Sequence, residues 1–362
     1  MKQKKINQIE PLISKSDINA INEYLNKKNW ITENKYTKNF EQNFSEVVGS
    51  KFAVAFPNGT LTLLGILKAL NLQKNSFVLV PNITMVATAT AVSLAGLSPL
   101  FVDVEKESLC MCPKDLKKKI KKNVSAVIYV TLNGRSGSID KIKKICSNNK
   151  KFLIEDSAHS IGCFFKKKHH GNFGIASSFS FSMPKIITTG QGGMIVTNSN
   201  KIFKKLKLLK NFGRSKSGED NYISQGYNFK FTDLQAVLGL NQLKNIKERI
   251  DKKKKIFNFY YKKLNKVKEI KFLKFNKNET PWFIDIYIKD KKKLKNYLMK
   301  KNILTRDIYP PLNKLNFFNQ KSLKLPVSTY FSERGLWLPS SLNLTKKNLV
   351  YITDNIKKFY EN

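Results

Sequence analysis

Phe152-Leu-Ile-Glu-Asp-Ser-Ala-His159 is a short apolar run that stops abruptly in acidic and polar residues. Residues 152–155 are too few for a helix and read as a buried strand. Toward the N-terminus, similar apolar runs recur at 52–56, 77–80, 99–104 and 126–131. Helical patterns separate them at 61–70, 86–95, 113–121 and 139–147, and two shorter strands follow at 177–182 and 193–197. Strands apolar throughout their length are buried on both faces. With helices between them, they predict an α/β unit with a mostly parallel central sheet covered by helices.

Beyond Thr232 the rhythm changes. Residues 233–261 read as one long helical stretch, with Leu234, Val237, Leu238, Leu240 and Leu243 near helical spacing. A short strand at 282–288, a helix at 291–301, the Pro-rich Tyr309-Pro310-Pro311 and a helix from Thr345 complete the chain. This predicts two units, a large one over 1–245 and a smaller C-terminal α+β one over 246–362. The first forty-odd residues read as a helix at 16–27 and a polar connector.

Composition narrows the function classes. Of 362 residues, 41% are hydrophobic, enough for a sizeable core, so global disorder is excluded. The net charge is +40, yet only Arg135, Arg214, Arg249, Arg306 and Arg334 are arginines. Lysine runs are spread along the chain (117–119, 166–168, 252–255, 291–293). A nucleic-acid surface clusters its charge and favours arginine, which forks onto phosphate and guanine, so no specific nucleic-acid partner is expected. Lysine-rich usage is also what an AT-rich genome produces. Four cysteines without a CxxC pair, and three histidines, do not suggest a metal cluster, and reduced thiols fit a cytoplasmic protein. The N-terminus shows no secretory h-region. The uncharged stretch between Lys74 and Asp103 is broken by Pro81, Asn82, Gly96 and Pro99, so no membrane span is expected.

Four places can carry chemistry. Asn58-Gly59-Thr60 follows the first strand and opens a helix, which makes either a phosphate seat or an ordinary N-cap turn. Asp156 ends a strand, where open α/β sheets place ligands; it can hold a positive ring nitrogen or cap a helix. Lys185 follows Ser178-Phe-Ser-Phe-Ser-Met-Pro and precedes Gly190-Gln-Gly-Gly193. By itself it reads as a solvated surface charge, and in this context as a Schiff-base lysine. Gly226-Tyr227-Asn228-Phe229-Lys230 precedes the long helix, as a loop with a cap at Thr232 or Asp233. Phosphate seat, ring-nitrogen carboxylate and isolated lysine, in that order, are the parts a pyridoxal phosphate (PLP) site needs.

On these residues the sequence resembles the DegT/DnrJ/EryC1/StrS sugar aminotransferases, a PLP-dependent family of fold type I. Asn58-Gly-Thr60 is similar to its phosphate-side Ser-Gly-Thr. Glu155-Asp156-Ser-Ala-His159 is similar to its Glu-Asp-Ala-Ala-(Gln/His). Ser180, Lys185 and Thr188-Thr-Gly-Gln-Gly-Gly-Met194 match its covalent-lysine region, and Pro81-Asn-Ile-Thr-Met-Val-Ala-Thr88 and Pro99-Leu-Phe-Val-Asp103 its strand–loop–helix–strand. Gly335-Leu-Trp-Leu-Pro-Ser-Ser341 resembles the perosamine-synthase-like members. Met85 stands where the family often has a ring-stacking aromatic, Lys230 where it has arginine, and Asn313 where it often has histidine.

The resemblance implies roles. Lys185 would bind the cofactor covalently and shuttle a proton. Asp156 would pair with the ring nitrogen, and His159 would sit near the ring and its 3′-oxygen. Gly59, Thr60, Leu61, Met85 and Ser180 would complete the cofactor site. Asn228 would hold the phosphate of a partner subunit, which implies a homodimer. Arg214, Arg306 and Tyr309 are candidates for the substrate side. The implied reaction moves an amino group from glutamate to C4 of a nucleotide-linked 4-keto-6-deoxyhexose, with a C3 aminotransferase as the alternative. Keto-deoxy-sugar 3-dehydratases share the fold but carry histidine in place of the lysine.

Overall fold

The computed structural model describes residues 4–216 and 218–361. Its strands are, in chain order, β1 (Phe52–Phe56), β2 (Phe77–Pro81), β3 (Ser98–Val102), β4 (Val124–Val130), β5 (Phe152–Asp156), β6 (Phe164–Phe165), β7 (Lys168–His169), β8 (Ala176–Ser180), β9 (Gly193–Thr197), β10 (Lys271–Phe272), β11 (Ile284–Tyr287), β12 (Arg306–Asp307) and β13 (Gly335–Leu338). Seven form one sheet in the order β1-β9-β8-β5-β4-β2-β3. All its neighbours are parallel except β9, which runs antiparallel to both β1 and β8. The expected α/β sheet is therefore present, with one reversed strand.

Alternation along each strand shows why the runs are apolar throughout. In β4, Ala126 and Ile128 face one core while Val127 and Tyr129 face another; Ile154 and Leu153 of β5 divide the same way. The helices Gly59–Leu70, Val86–Leu94 and Asn200–Lys210 cover the first face through Leu63, Ile66, Val92, Ile202 and Leu206. On the opposite side, Ile139–Asn148 covers the β4–β5 region through Ile142 and Ile145. Lys35–Val48 and Asp233–Lys244 pack on that side too, beside β1 and β9, through Phe40, Phe44, Ala236 and Leu243.

The second sheet, β10-β11-β13-β12, is antiparallel throughout. The helices Ile246–Leu264, Lys291–Lys300 and Lys346–Glu361 bury Ile256, Tyr260, Leu298 and Ile352 around it. The N-terminal Ile6 joins this layer through a parallel bridge to Ile303.

Two expectations need correction. The stretch 233–261 is not one helix: Asn245 (φ −100°, ψ 16°) breaks it between Asp233–Lys244 and Ile246–Leu264. The polar connector is largely the helix Lys35–Val48, whose N-cap residue Asn34 makes no side-chain cap. The buried Asp233 carboxylate accepts instead from the N–H groups of Asn34 (2.8 Å), Tyr36 (3.0 Å) and Thr37 (2.9 Å), an anion at a helix N-terminus. Among the described residues no helix is long and apolar enough to cross a membrane.

Candidate active site

The carboxyl ends of the parallel strands open into a cavity of about 490 Å³. Its walls include Gly59, Thr60, Leu61, Met85, Asp156, His159, Ser180 and Lys185. Arg306 and Tyr309 also line it, so one cavity gathers ten of the twelve residues singled out in the sequence. Arg214 and Asn228 do not line it. Arg214 pairs with Asp220 at 2.6 Å, and Asn228 is exposed on a segment bridged to Asn211.

One end of the cavity is the start of the helix Gly59–Leu70. Asn58 caps it, its side chain accepting from the Leu61 N–H at 3.0 Å, so the capping reading is correct. The same turn still aims first-turn N–H groups and the positive end of the helix at the cavity. Ser180 and Ser182 stand opposite, with Gln191 nearby in the wall. The seat is closely built: a Cβ on Gly59 would lie 3.0 Å from Ser180 Cβ, and one on Gly193 would lie 2.8 Å from the Asn58 carbonyl oxygen.

Asp156 is the last residue of β5, and no helix follows it, so it does not cap one. Its Oδ2 accepts from the Thr88 hydroxyl at 2.7 Å and its Oδ1 from the Ala158 N–H at 3.2 Å. Burial raises its pKa, against the opposing pull of these donors and of the Lys185 charge. A carboxylate so desolvated gains most from a cationic partner.

Lys185 sits in a loop closed by the Phe181 N–H donating to Gly192 (2.8 Å) and the Thr189 N–H donating to Phe181 (3.0 Å). It is not a solvated surface charge. Burial lowers its pKa to about 7; the Asp156 charge opposes this and Arg306 adds to it. Its amine therefore loses its proton near neutrality.

His159 accepts at Nδ1 from the Asn133 N–H (3.3 Å). Burial, then Lys185, holds its pKa well below the usual range, so the ring is neutral with its proton on Nε2. Trp282 stacks on it at 3.7 Å and 17°.

Trp282, Thr88, Asn133, Ser182 and Gln191 have no role assigned from the sequence, although Thr88, Ser182 and Gln191 lie inside stretches quoted above. Thr88 lies one helical turn after Thr84 in an uncharged run, a weak signal in hindsight; Trp282 gives none until the second sheet is folded against the first. Among the described residues, no group of three or more His, Cys, Asp or Glu stands together to hold a metal ion.

The donor set fits PLP: an anion seat, a carboxylate awaiting a positive ring nitrogen, a neutral imidazole N–H donor, and an amine able to lose its proton. A model of the DegT/DnrJ/EryC1/StrS aminotransferase family matches residues 11–357. The chain is 30% identical to the GDP-perosamine synthase of Escherichia coli O157:H7 over 97% of each chain. It superposes on Helicobacter pylori PseC, an aminotransferase involved in the biosynthesis of pseudoaminic acid, with a TM-score of 0.94, 27% identity and coverage of 99% of this chain and 100% of that one. An E. coli GDP-4-keto-6-deoxy-D-mannose-3-dehydratase shares the fold alone, with a TM-score of 0.88, 22% identity and coverage of 97% and 98%. With the site geometry, these matches place the chain in the DegT/DnrJ/EryC1/StrS aminotransferase family, as a PLP-dependent enzyme of fold type I that aminates sugars.

Proposed function

We propose that this enzyme transfers an amino group from glutamate to C4 of a nucleotide-linked 4-keto-6-deoxyhexose in the cytoplasm. The product is a 4-amino-4,6-dideoxy sugar for surface polysaccharide or glycan. The observation that carries the reading is the convergence of Lys185, Asp156 and neutral His159 in one cavity whose far end is a helix N-terminus. Similarity to a perosamine synthase over nearly the whole chain supports C4 over C3.

When bound, PLP supplies an electron sink for the carbon that carries the amine. The first turn of Gly59–Leu70, with Thr60 and Ser180, would hold its phosphate. Asp156 would keep the proton on the ring nitrogen, and His159 Nε2–H would donate to the ring's oxygen. Lys185 Nζ would carry the proton between the substrate carbon and the cofactor's C4′. Met85 would cover the ring with its polarizable sulfur. Arg306 and Tyr309 would meet the substrates from the 246–362 unit, and the 1–245 unit would carry the cofactor. Asn228, exposed and away from its own cavity, would serve the partner's phosphate in a homodimer.

The test is a panel of GDP-, UDP- and dTDP-linked 4-keto-6-deoxy sugars with glutamate, with products identified by mass and NMR. Nitrogen at C4 is expected. Nitrogen at C3 would overturn the regiochemistry. Loss of the C3 hydroxyl without gain of nitrogen would make the enzyme a 3-dehydratase, a reaction against which Lys185 argues.

A further inference from the structure

We propose that Trp282 is a positioning residue that ties His159 and Lys185 into one rigid unit. Four contacts converge on it. Its ring lies on the His159 imidazole at 3.7 Å and 17°. Its indole N–H donates to the Pro184 carbonyl at 2.8 Å, one residue before Lys185. The Lys185 amine lies 4.1 Å from the centre of the indole ring. Its backbone N–H donates to Asn133 (3.1 Å), whose own N–H fixes His159 Nδ1.

The clamp is itself anchored. The buried Lys253 Nζ donates to the Trp282 carbonyl at 2.8 Å and also to the Ser340 carbonyl. On the other side, Asn133 Nδ2 donates to Asp285 at 3.0 Å, and Arg135 pairs with the same carboxylate at 2.6 Å. Trp282 is 2% exposed, so its ring also keeps water from His159. A tryptophan serves here because one side chain supplies both a flat face for the imidazole and an N–H reaching the lysine loop. Holding reacting groups in place matters steeply, since a misplacement of about 1 Å costs on the order of a hundredfold in rate.

This inference rests on the catalytic roles proposed above for Lys185 and His159, and its test separates the two. Histidine-labelled ¹⁵N NMR suits a chain with three histidines, His159, His169 and His170. The last two are engaged with Gly162, Ser136 and Glu155 and serve as internal references. The groups facing His159 are Lys185, Asp156 and Tyr309 in the cavity wall. Trp282→Leu removes face and tether, so His159 should begin to titrate between pH 5 and 7, while the signals of the other two histidines should follow their wild-type course. Trp282→Phe keeps the face and should leave His159 unchanged.

In the glutamate half-reaction, followed by the visible absorbance of the loaded enzyme without any sugar, Trp282→Phe should slow the limiting rate about tenfold. Trp282→Leu should slow it about a hundredfold, with half-saturating glutamate within about threefold of wild type in both. A non-titrating His159 in Trp282→Leu, or a limiting rate in Trp282→Phe within about twofold of wild type, overturns the proposal. The phenylalanine variant decides alone if the leucine variant does not fold. A wild-type enzyme inert to glutamate would instead refute the proposed function and leave the His159 comparison standing.

Discussion

At the scale of the residue, Lys185 carries the most specific consequence. Burial places its pKa at about 7, far below the 10.5 of a free lysine. Only the neutral amine attacks an aldehyde, so covalent capture of PLP by cofactor-stripped protein should accelerate with pH up to about 8 and then level off. An exposed lysine would still be accelerating at pH 9. The check is stopped-flow absorbance across pH, with Lys185→Ala as a control that should show no visible band. A capture rate still climbing at pH 9 would show that the amine is solvated. Lys185 and Asp156 were legible in the sequence because chemistry restricts them: one must be an amine among glycines and serines, the other a carboxylate at a strand end. Trp282 was not legible, because its partners lie at 133, 159, 184 and 253 and meet only in the folded chain.

At the scale of the element, legibility followed burial. β1 and β9 occupy the expected residues because a strand buried on both faces has no polar position to blur its ends. The helix Lys35–Val48 reads as a connector in the sequence because its apolar stripe is narrow, with Phe40, Phe44 and Val48 set among mostly polar residues, and its cap comes from Asp233, remote in sequence. β10 and β12 are two residues each, below any periodic signal. The turn after β4 hides a further constraint. Gly134 has φ +85°, and a Cβ there would lie 2.0 Å from the Thr280 carbonyl oxygen, in the turn that holds Asn133 against His159. Gly96 has a similar φ of +79° but nothing within 4 Å of its Cβ position. Gly96→Ala should therefore cost only the left-handed backbone term, about 1 kcal/mol. Gly134→Ala must also displace a backbone oxygen and should cost about 3 kcal/mol or more. Urea unfolding of the two variants measures the difference, and equal losses would show that the turn yields freely.

At the scale of the molecule, the cavity takes its floor from one sheet and Trp282, Arg306 and Tyr309 from the region of the other, yet Asn228 stays outside it. The segment that carries Asn228 is held to its own chain through Phe229 N–H donating to Lys210 (3.0 Å) and the bridge to Asn211. The apolar Trp30, Ile31, Tyr222 and Ile223 are all more than half exposed, and the segments that bear them are tied to this region by the Ile31–Asp233 and Gly213–Ile223 hydrogen bonds. Exposed apolar side chains beside a polar residue without a role in its own cavity suit a second copy of the chain. Two inactive proteins test this. Lys185→Ala lacks the amine, and in the proposed dimer Asn228→Asp would set a negative charge beside the partner's phosphate, where repulsion should weaken cofactor binding. In a mixed dimer one pocket would carry both lesions and the other neither. Activity should reappear after subunit exchange, up to about half of wild type per mixed dimer, when differently tagged heterodimers are isolated and assayed. An unimpaired Asn228→Asp would remove its phosphate role. If that variant is impaired but isolated heterodimers stay inactive, both residues act within one chain, and the shared site has to be abandoned.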